Sequence, residues 1–134
     1  MKTEELIQIY YQEFNKRDVA ELLKTLHPEI IHTTFAGNTE IGLDAFQKYI
    51  EMAFRCVNET VSNVIILKSD DGRYASAQVK CDGEYIKTAY NYPEARNQKY
   101  CVECHSFFEI KDGLIYKLNN YFNEKDWLAQ ISVE

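Results

Sequence analysis

The stretch from Tyr100 to Gln130, YCVECHSFFEIKDGLIYKLNNYFNEKDWLAQ, constrains the fold more than any other part of this chain. Lys99 to Ile110 and Leu114 to Phe122 alternate as strands, and Lys111-Asp112-Gly113 between them is hairpin chemistry. Asn123, with Asp126 three residues later, is an N-cap pairing for a helix over Glu124 to Ile131, anchored by Trp127. Because strand side chains alternate, Cys104, Ser106, Phe108 and Ile110 share one face, and His105, Phe107 and Glu109 the other. On the second strand Leu118, Asn120 and Phe122 share the inward face.

Upstream, apolar spacing predicts a helix over Thr3 to Asn15. Asp18 with Glu21 resembles a capping box opening a second helix, Val19 to Leu26, which His27-Pro28 ends. A strand follows over Ile30 to Phe35, then a turn at Ala36-Gly37-Asn38. A third helix runs from Leu43 to near Val57, with Phe46, Tyr49, Ile50, Ala53 and Phe54 at helical spacing. Strand periodicity begins at Ser62, and Val64 to Lys68 pairs across Ser69-Asp70-Asp71-Gly72 with Tyr74 to Cys81. Glu84 to Tyr90 continues that strand or begins another. Asn91 to Gln98 is a polar loop, placed either to rim a pocket mouth or to be a plain solvated turn. With helices leading and strands following, residues 1–134 read as a single α+β domain with helices on one face of a curved sheet.

The chain of 134 residues, 46% hydrophobic with ten Tyr and seven Phe, can bury a sizeable core. A net charge of −6 opposes nucleic-acid and anionic-membrane partners, which require basic patches. No apolar run spans a bilayer, and the acidic amphipathic start is no signal peptide, so the expected compartment is the cytoplasm. Cys101 and Cys104 form a C-x-x-C, but residues three apart on a strand face opposite ways. No second ligand pair completes a zinc site. All four cysteines are therefore read as reduced thiols, with no metal and no cofactor.

The element order and the phrases YYQEFNKRD, PEARNQKY, FFEIKDGLI and YFNEKDWLAQ resemble the NTF2-like (cystatin-like) superfamily, which includes ketosteroid isomerase and the SnoaL-type polyketide cyclases. The phrases are most similar to ketosteroid isomerase-related, SnoaL-like proteins, over nearly the whole chain. That resemblance implies a cone: N-terminal helices packed on a strongly curved mixed or antiparallel sheet, a small-molecule pocket at the wide end, and a homodimer through the convex sheet face.

Ketosteroid isomerase combines an Asp base with an oxyanion hole of Tyr and protonated Asp. By this resemblance Tyr10, five residues before Asn15, takes the tyrosine role. It equally fits the apolar face of its helix. Thr34 falls at the base position and cannot accept a proton at neutral pH. Ser106 falls at the acidic donor position. His32, on the same strand face as Thr34, is the alternative acid/base, though a lone inward histidine also serves as a hydrogen-bonded core residue. An inward Asn120 must be satisfied, by ligand or by a neighbouring strand.

The expectation is a pocket binding a small hydrophobic or carbonyl-containing molecule. His32 and Tyr10 would be its catalytic pair, with Phe14, Thr34, Phe54, Tyr85, Ser106, Phe108, Asn120 and Phe122 as ligand contacts. Two functions fit: cofactor-free isomerase or cyclase chemistry, and a non-catalytic dimeric binding module. Classical ketosteroid isomerase activity is not expected, because both carboxylates are missing.

Overall fold

In a computed structural model, which describes residues 1–132, the chain runs α1 (Thr3–Lys16), α2 (Val19–Leu23), β1 (Leu26–Thr33), β2 (Thr39–Ile41), α3 (Leu43–Cys56), β3 (Val57–Lys68), β4 (Tyr74–Tyr85), β5 (Gln98–Lys111), β6 (Leu114–Phe122) and α4 (Glu124–Ile131). The strands form one open six-stranded sheet in the order β2-β1-β6-β5-β4-β3. All neighbours are antiparallel except β1 and β6, which are parallel. This is the expected α+β architecture, with a mixed sheet.

Four boundaries differ from the sequence reading, each for a physical reason. Helix α2 stops at Leu23, because Lys24 and Thr25 fold back onto the carbonyls of Glu21 and Leu22. Leu26 then already pairs with Ile115 as the first residue of β1. Pro28, which lacks an N–H, lies where the β1–β6 register is interrupted between Leu26 and Ile31. The three-residue edge strand β2 carries almost no periodic signal.

The third difference is the start of β3. Val57 is at once the C-cap of α3 and the first strand residue, so no connecting segment exists and β3 begins five residues before Ser62. The fourth is the end of β4 at Tyr85. The Tyr85 hydroxyl donates to the Pro93 carbonyl at 2.7 Å and accepts from the Ala89 N–H at 2.9 Å, winding the following loop around its own side chain.

The predicted caps form. Asp18 accepts from the Glu21 N–H and Asn123 from the Asp126 N–H. On the sheet, Ser106 and Phe108 are buried while His105 and Phe107 are exposed, as alternation requires. Trp127 of α4 packs edge-on to Tyr85, Tyr92, Tyr100 and Phe122.

Two α1-end residues hold the helical layer to the sheet edge. Asn15 donates to the Val61 carbonyl at 2.9 Å and accepts from the Val61 N–H at 2.8 Å, so its amide completes the edge of β3 as a neighbouring strand would. Arg17, with φ of 57°, ends α1 in the left-handed region. Its guanidinium donates to the carbonyls of Phe54 and Val57 and stacks 4.5 Å from the Phe54 ring, answering the negative end of α3. Replacing Asn15 by Ala strands a part-buried N–H and C=O together. The expected cost in urea denaturation is about 1–3 kcal/mol, with Asn15→Asp intermediate because it keeps only the acceptor.

Candidate functional site

Between the helices and the inward sheet face lies a cavity of about 720 Å³. Its floor is small side chains on the central strands: Val61, Val79, Cys81, Val102, Cys104 and Ser106. Its sides are rings, among them Tyr10, Tyr11 and Phe14 from α1 and Phe46, Tyr49 and Phe54 from α3. Ala89 to Tyr92 border it from the β4–β5 loop, and Tyr92 is tied to Glu124 of α4 by a 3.1 Å hydrogen bond. Three carboxyl groups border the cavity, on Glu40, Glu59 and Glu124, and none of its lining residues is Lys, Arg or His.

Glu59 sits on the cavity wall because β3 starts at Val57, which sends Val57, Glu59 and Val61 inward together. In register Glu59 faces Gly83 on β4, and Gly83 faces Tyr100 on β5. A Cβ at position 83 would collide with the Tyr100 ring. The absence of that one carbon lets Tyr100 lie across β4 and donate its hydroxyl to Glu59 Oε1 at 2.7 Å. Burial holds the Glu59 carboxyl above its ordinary value, while the hydrogen bond from Tyr100, the nearby Cys81 thiol and the charge of Arg17 draw it partly back. Burial and the Glu59 charge in turn push the Tyr100 phenol up.

A second polar line crosses β5, β6 and β1. Ser106 Oγ donates to Asn120 Oδ1 at 2.6 Å, and Asn120 Nδ2 lies 3.2 Å from His32 Nε2. The amide can only donate there, so Nε2 is the acceptor and the ring proton resides on Nδ1. Nδ1 is buried without a partner. Rings of Phe46 and Tyr49 pack on the imidazole at 4.9 and 4.7 Å. Burial lowers the His32 pKa from 6.5 to about 4, so it is neutral at physiological pH. The Tyr11 hydroxyl is also buried, beside Ser106, and burial raises its phenol pKa. Burial likewise raises those of Tyr10 and Tyr49.

Of the residues expected at the site, Tyr10, Phe14, Thr34, Phe54, Ser106, Asn120 and Phe122 border the cavity. His32, Tyr85 and Phe108 lie outside its lining. His32 lies beneath Phe46 and Tyr49 and meets the cavity only through Asn120. Tyr85 is turned to the β4–β5 loop. Phe108, fully buried, forms the base on which Tyr10 and Tyr11 pack edge-on. Glu59, Tyr100, Tyr11, Tyr49 and Glu40 went unrecognised in the sequence. The signal for Glu59 was there: Val57-Asn58-Glu59-Thr60-Val61 alternates as a strand, with an acid at an inward position.

This combination of four helices, an open mixed sheet and a cavity between them defines an NTF2-like fold. A solved NTF2-like protein of unknown function from Burkholderia pseudomallei superposes with a TM-score of 0.81 at 13% identity, covering 99% of each chain. The SnoaL-like domain family matches residues 7–118, and the chain belongs to that family. A candidate polyketide cyclase from Pseudomonas putida is similar at 30% identity and TM-score 0.96 over 98% of both chains. Another candidate polyketide cyclase, from Silicibacter sp., is 30% identical with a TM-score of 0.95 over 98% of this chain and 96% of its own. No curated protein matches this sequence.

Two outcomes follow for the site's polar groups. Gly83→Ala drives a methyl into the Tyr100 ring, so it is expected to lower stability in thermal denaturation by roughly 1–3 kcal/mol; Tyr100→Phe in the same chain does not relieve it, because the ring remains. For His32 the folded pKa lies below the unfolded one. Its contribution is therefore complete above about pH 6.5 and is lost as pH falls toward 4, spanning roughly 3 kcal/mol. Chemical denaturation from pH 7 to 4 is expected to show this loss, flattened in His32→Gln.

Proposed function

We propose that this chain is a cofactor-free acid–base enzyme of isomerase or cyclase type, acting on a hydrophobic molecule that carries a carbonyl group. The Glu59–Tyr100 pair on the cavity wall carries the reading: a buried carboxyl with a raised pKa and a fixed orientation, beside apolar space of ligand size. The proposed acid/base thereby moves from His32, which is buried behind rings, to Glu59, which is not.

In this mechanism ionised Glu59 removes a proton from the carbon next to the carbonyl. The hydroxyls of Tyr10 and Tyr11, both on the cavity lining, donate to the oxygen on which the enolate charge develops. Glu59 then returns the proton to another carbon, completing an isomerisation. In the cyclase variant the enolate carbon bonds to a second carbonyl carbon, and the proton goes to the new alkoxide. Ser106 and Asn120 contribute hydrogen bonds to further ligand oxygens, with His32 holding the Asn120 amide in its rotamer. The lining includes acids and no cation, which favours an uncharged ligand over a carboxylate or phosphate.

The test is hydrogen–deuterium exchange next to the carbonyl in a panel of hydrophobic ketones and esters. Glu59→Gln is expected to slow exchange by roughly 10²–10⁴-fold, and Tyr10→Phe and Tyr11→Phe less. Exchange that Glu59→Gln leaves unaltered overturns the assignment. The second reading, a binding module, is favoured by Thr34 and Ser106 standing where the isomerase has acids. Tight binding of panel members with no exchange in the native chain would establish it.

We also propose a homodimer through the outer sheet face, in the cytoplasm. Ile65, Leu67 and Phe107 are exposed there at 55, 67 and 41%, and Phe107 and Tyr74 rings pack together beside them. Phe107→Asp with Leu67→Asp is expected to shift the sedimentation coefficient from dimer to monomer. Among the described residues no helix is long and apolar enough to cross a membrane.

A further inference from the structure

Cys81 on β4 and Cys104 on β5 both border the cavity, both are free, and their Sγ atoms lie 3.1 Å apart. At that separation the Cys81 thiol donates its hydrogen to Cys104 Sγ. In register Cys81 faces Val102 and Cys104 faces Val79, so the sulfurs meet along a diagonal. Diagonal neighbours on an antiparallel pair sit about 7–8 Å apart, somewhat less between Cβ atoms, whereas a disulfide holds its Cβ atoms at about 3.5–4.5 Å. Closing a disulfide therefore has to draw the two sulfurs from 3.1 Å to about 2.05 Å. Inserting one atom between the sulfurs does not.

The protonation state narrows what that atom is. The hydrogen bond to Cys104, and then burial, hold the Cys81 thiol far above its ordinary value. Zinc and copper ions bind thiolates, and among the described residues no group of three or more His, Cys, Asp and Glu is placed for a metal ion. A condensing electrophile suits neutral thiols better. The space beside the sulfurs is aromatic: Cys81 is near enough to Tyr10, Tyr11 and Tyr100 to act on their ionisation.

We propose that Cys81 and Cys104 form a dithiol site for trivalent aryl-arsenicals, with arsenic bridging the two sulfurs and the aryl group lying among the cavity's rings. An arylarsonous acid carries two hydroxyls on a pyramidal arsenic whose bonds stand near right angles, which keeps two bound sulfurs close together. Two As–S bonds form and two As–OH bonds break. Each thiol proton leaves with one hydroxyl, so two waters depart, arsenic remains trivalent and nothing is oxidised. Glu59, close enough to Cys81 to act on its ionisation, is placed to pass a thiol proton to a departing hydroxyl. The site rests on the sulfur geometry and stands whether or not Glu59 performs carbonyl chemistry.

The experiment titrates the full reduced chain with phenylarsine oxide and follows intact mass in the presence of excess glutathione, which strips arsenic from single thiols. One equivalent is expected to persist on the native chain and on Cys101→Ser, whose sulfur is exposed on the opposite face. Cys81→Ser and Cys104→Ser are each expected to lose at least tenfold in retention, and inorganic arsenite to be held less well than the aryl compound. Fragmentation of the native adduct is expected to join the strands bearing Cys81 and Cys104, a result that needs no variant to fold. An adduct mapped to Cys56 or Cys101, retention unchanged in both serine variants, or loss of two hydrogens in place of an adduct would each overturn the assignment.

Discussion

A carboxyl group on the wall of a largely apolar cavity is tolerated only where its hydrogen-bonding capacity is met, and at Glu59 that requirement reaches through three strands. Tyr100 meets it by lying across β4, which is possible because position 83 is glycine. Glu59 reaches the wall only because β3 follows α3 without a linker. That direct join depends on Arg17 ending α1 in a left-handed turn and bonding the last carbonyls of α3 and the first of β3. Asn15, two residues earlier, fixes β3 at Val61, on the same inward line as Glu59. One short stretch, Asn15 to Arg17, thus sets the edge from which the buried acid projects.

The cavity follows from side-chain size on the central strands. Across the middle of β4 and β5 the inward positions are Ala75, Ala77, Val79, Cys81, Val102, Cys104 and Ser106, most of them buried, with the large Tyr85, Tyr100 and Phe108 toward the ends. Most of the large residues come from the helices and the loop, and many of them pack on one another: Tyr10 with Tyr11, Phe14 with Phe54, Phe46 with Tyr49. Rings packed edge to face at the walls over a floor of short side chains leave a gap that apolar burial alone would close. Keeping it open while lining it with phenols and carboxyls costs stability. A ligand that fills the space recovers part of that cost on binding.

The fold was legible in the sequence wherever periodicity ran long. The β5–β6 hairpin, its inward set and both side-chain caps on α2 and α4 follow from alternation and turn chemistry, because each depends on neighbours within a few residues. What was not legible depends on partners far along the chain. Pro28 inside β1 reads as a break until the interrupted β1–β6 register supplies a place without a ladder bond. His32 reads as an inward base until Phe46 and Tyr49, on a separate helix, are found covering it. Gly83 reads as an unremarkable residue until Tyr100 arrives from the next strand. Cys81 and Cys104, 23 residues apart, become a pair only through strand pairing.

The displacement of acidity is the most consequential of these long-range effects. At the two positions that the resemblance to ketosteroid isomerase marks for acids, this chain has Thr34 and Ser106, both hydroxyls, and neither can serve as a base at neutral pH. A carboxyl is nevertheless present in the same cavity, on β3, oriented by a tyrosine that crosses from β5. A cone of this kind presents many inward positions to one enclosed space, so a proton-transfer group can change strands without changing the volume it serves. The family fold therefore constrains where chemistry can occur and leaves open which strand supplies it. What it demands is local compensation wherever the acid lands, and the glycine opposite Glu59 is that compensation.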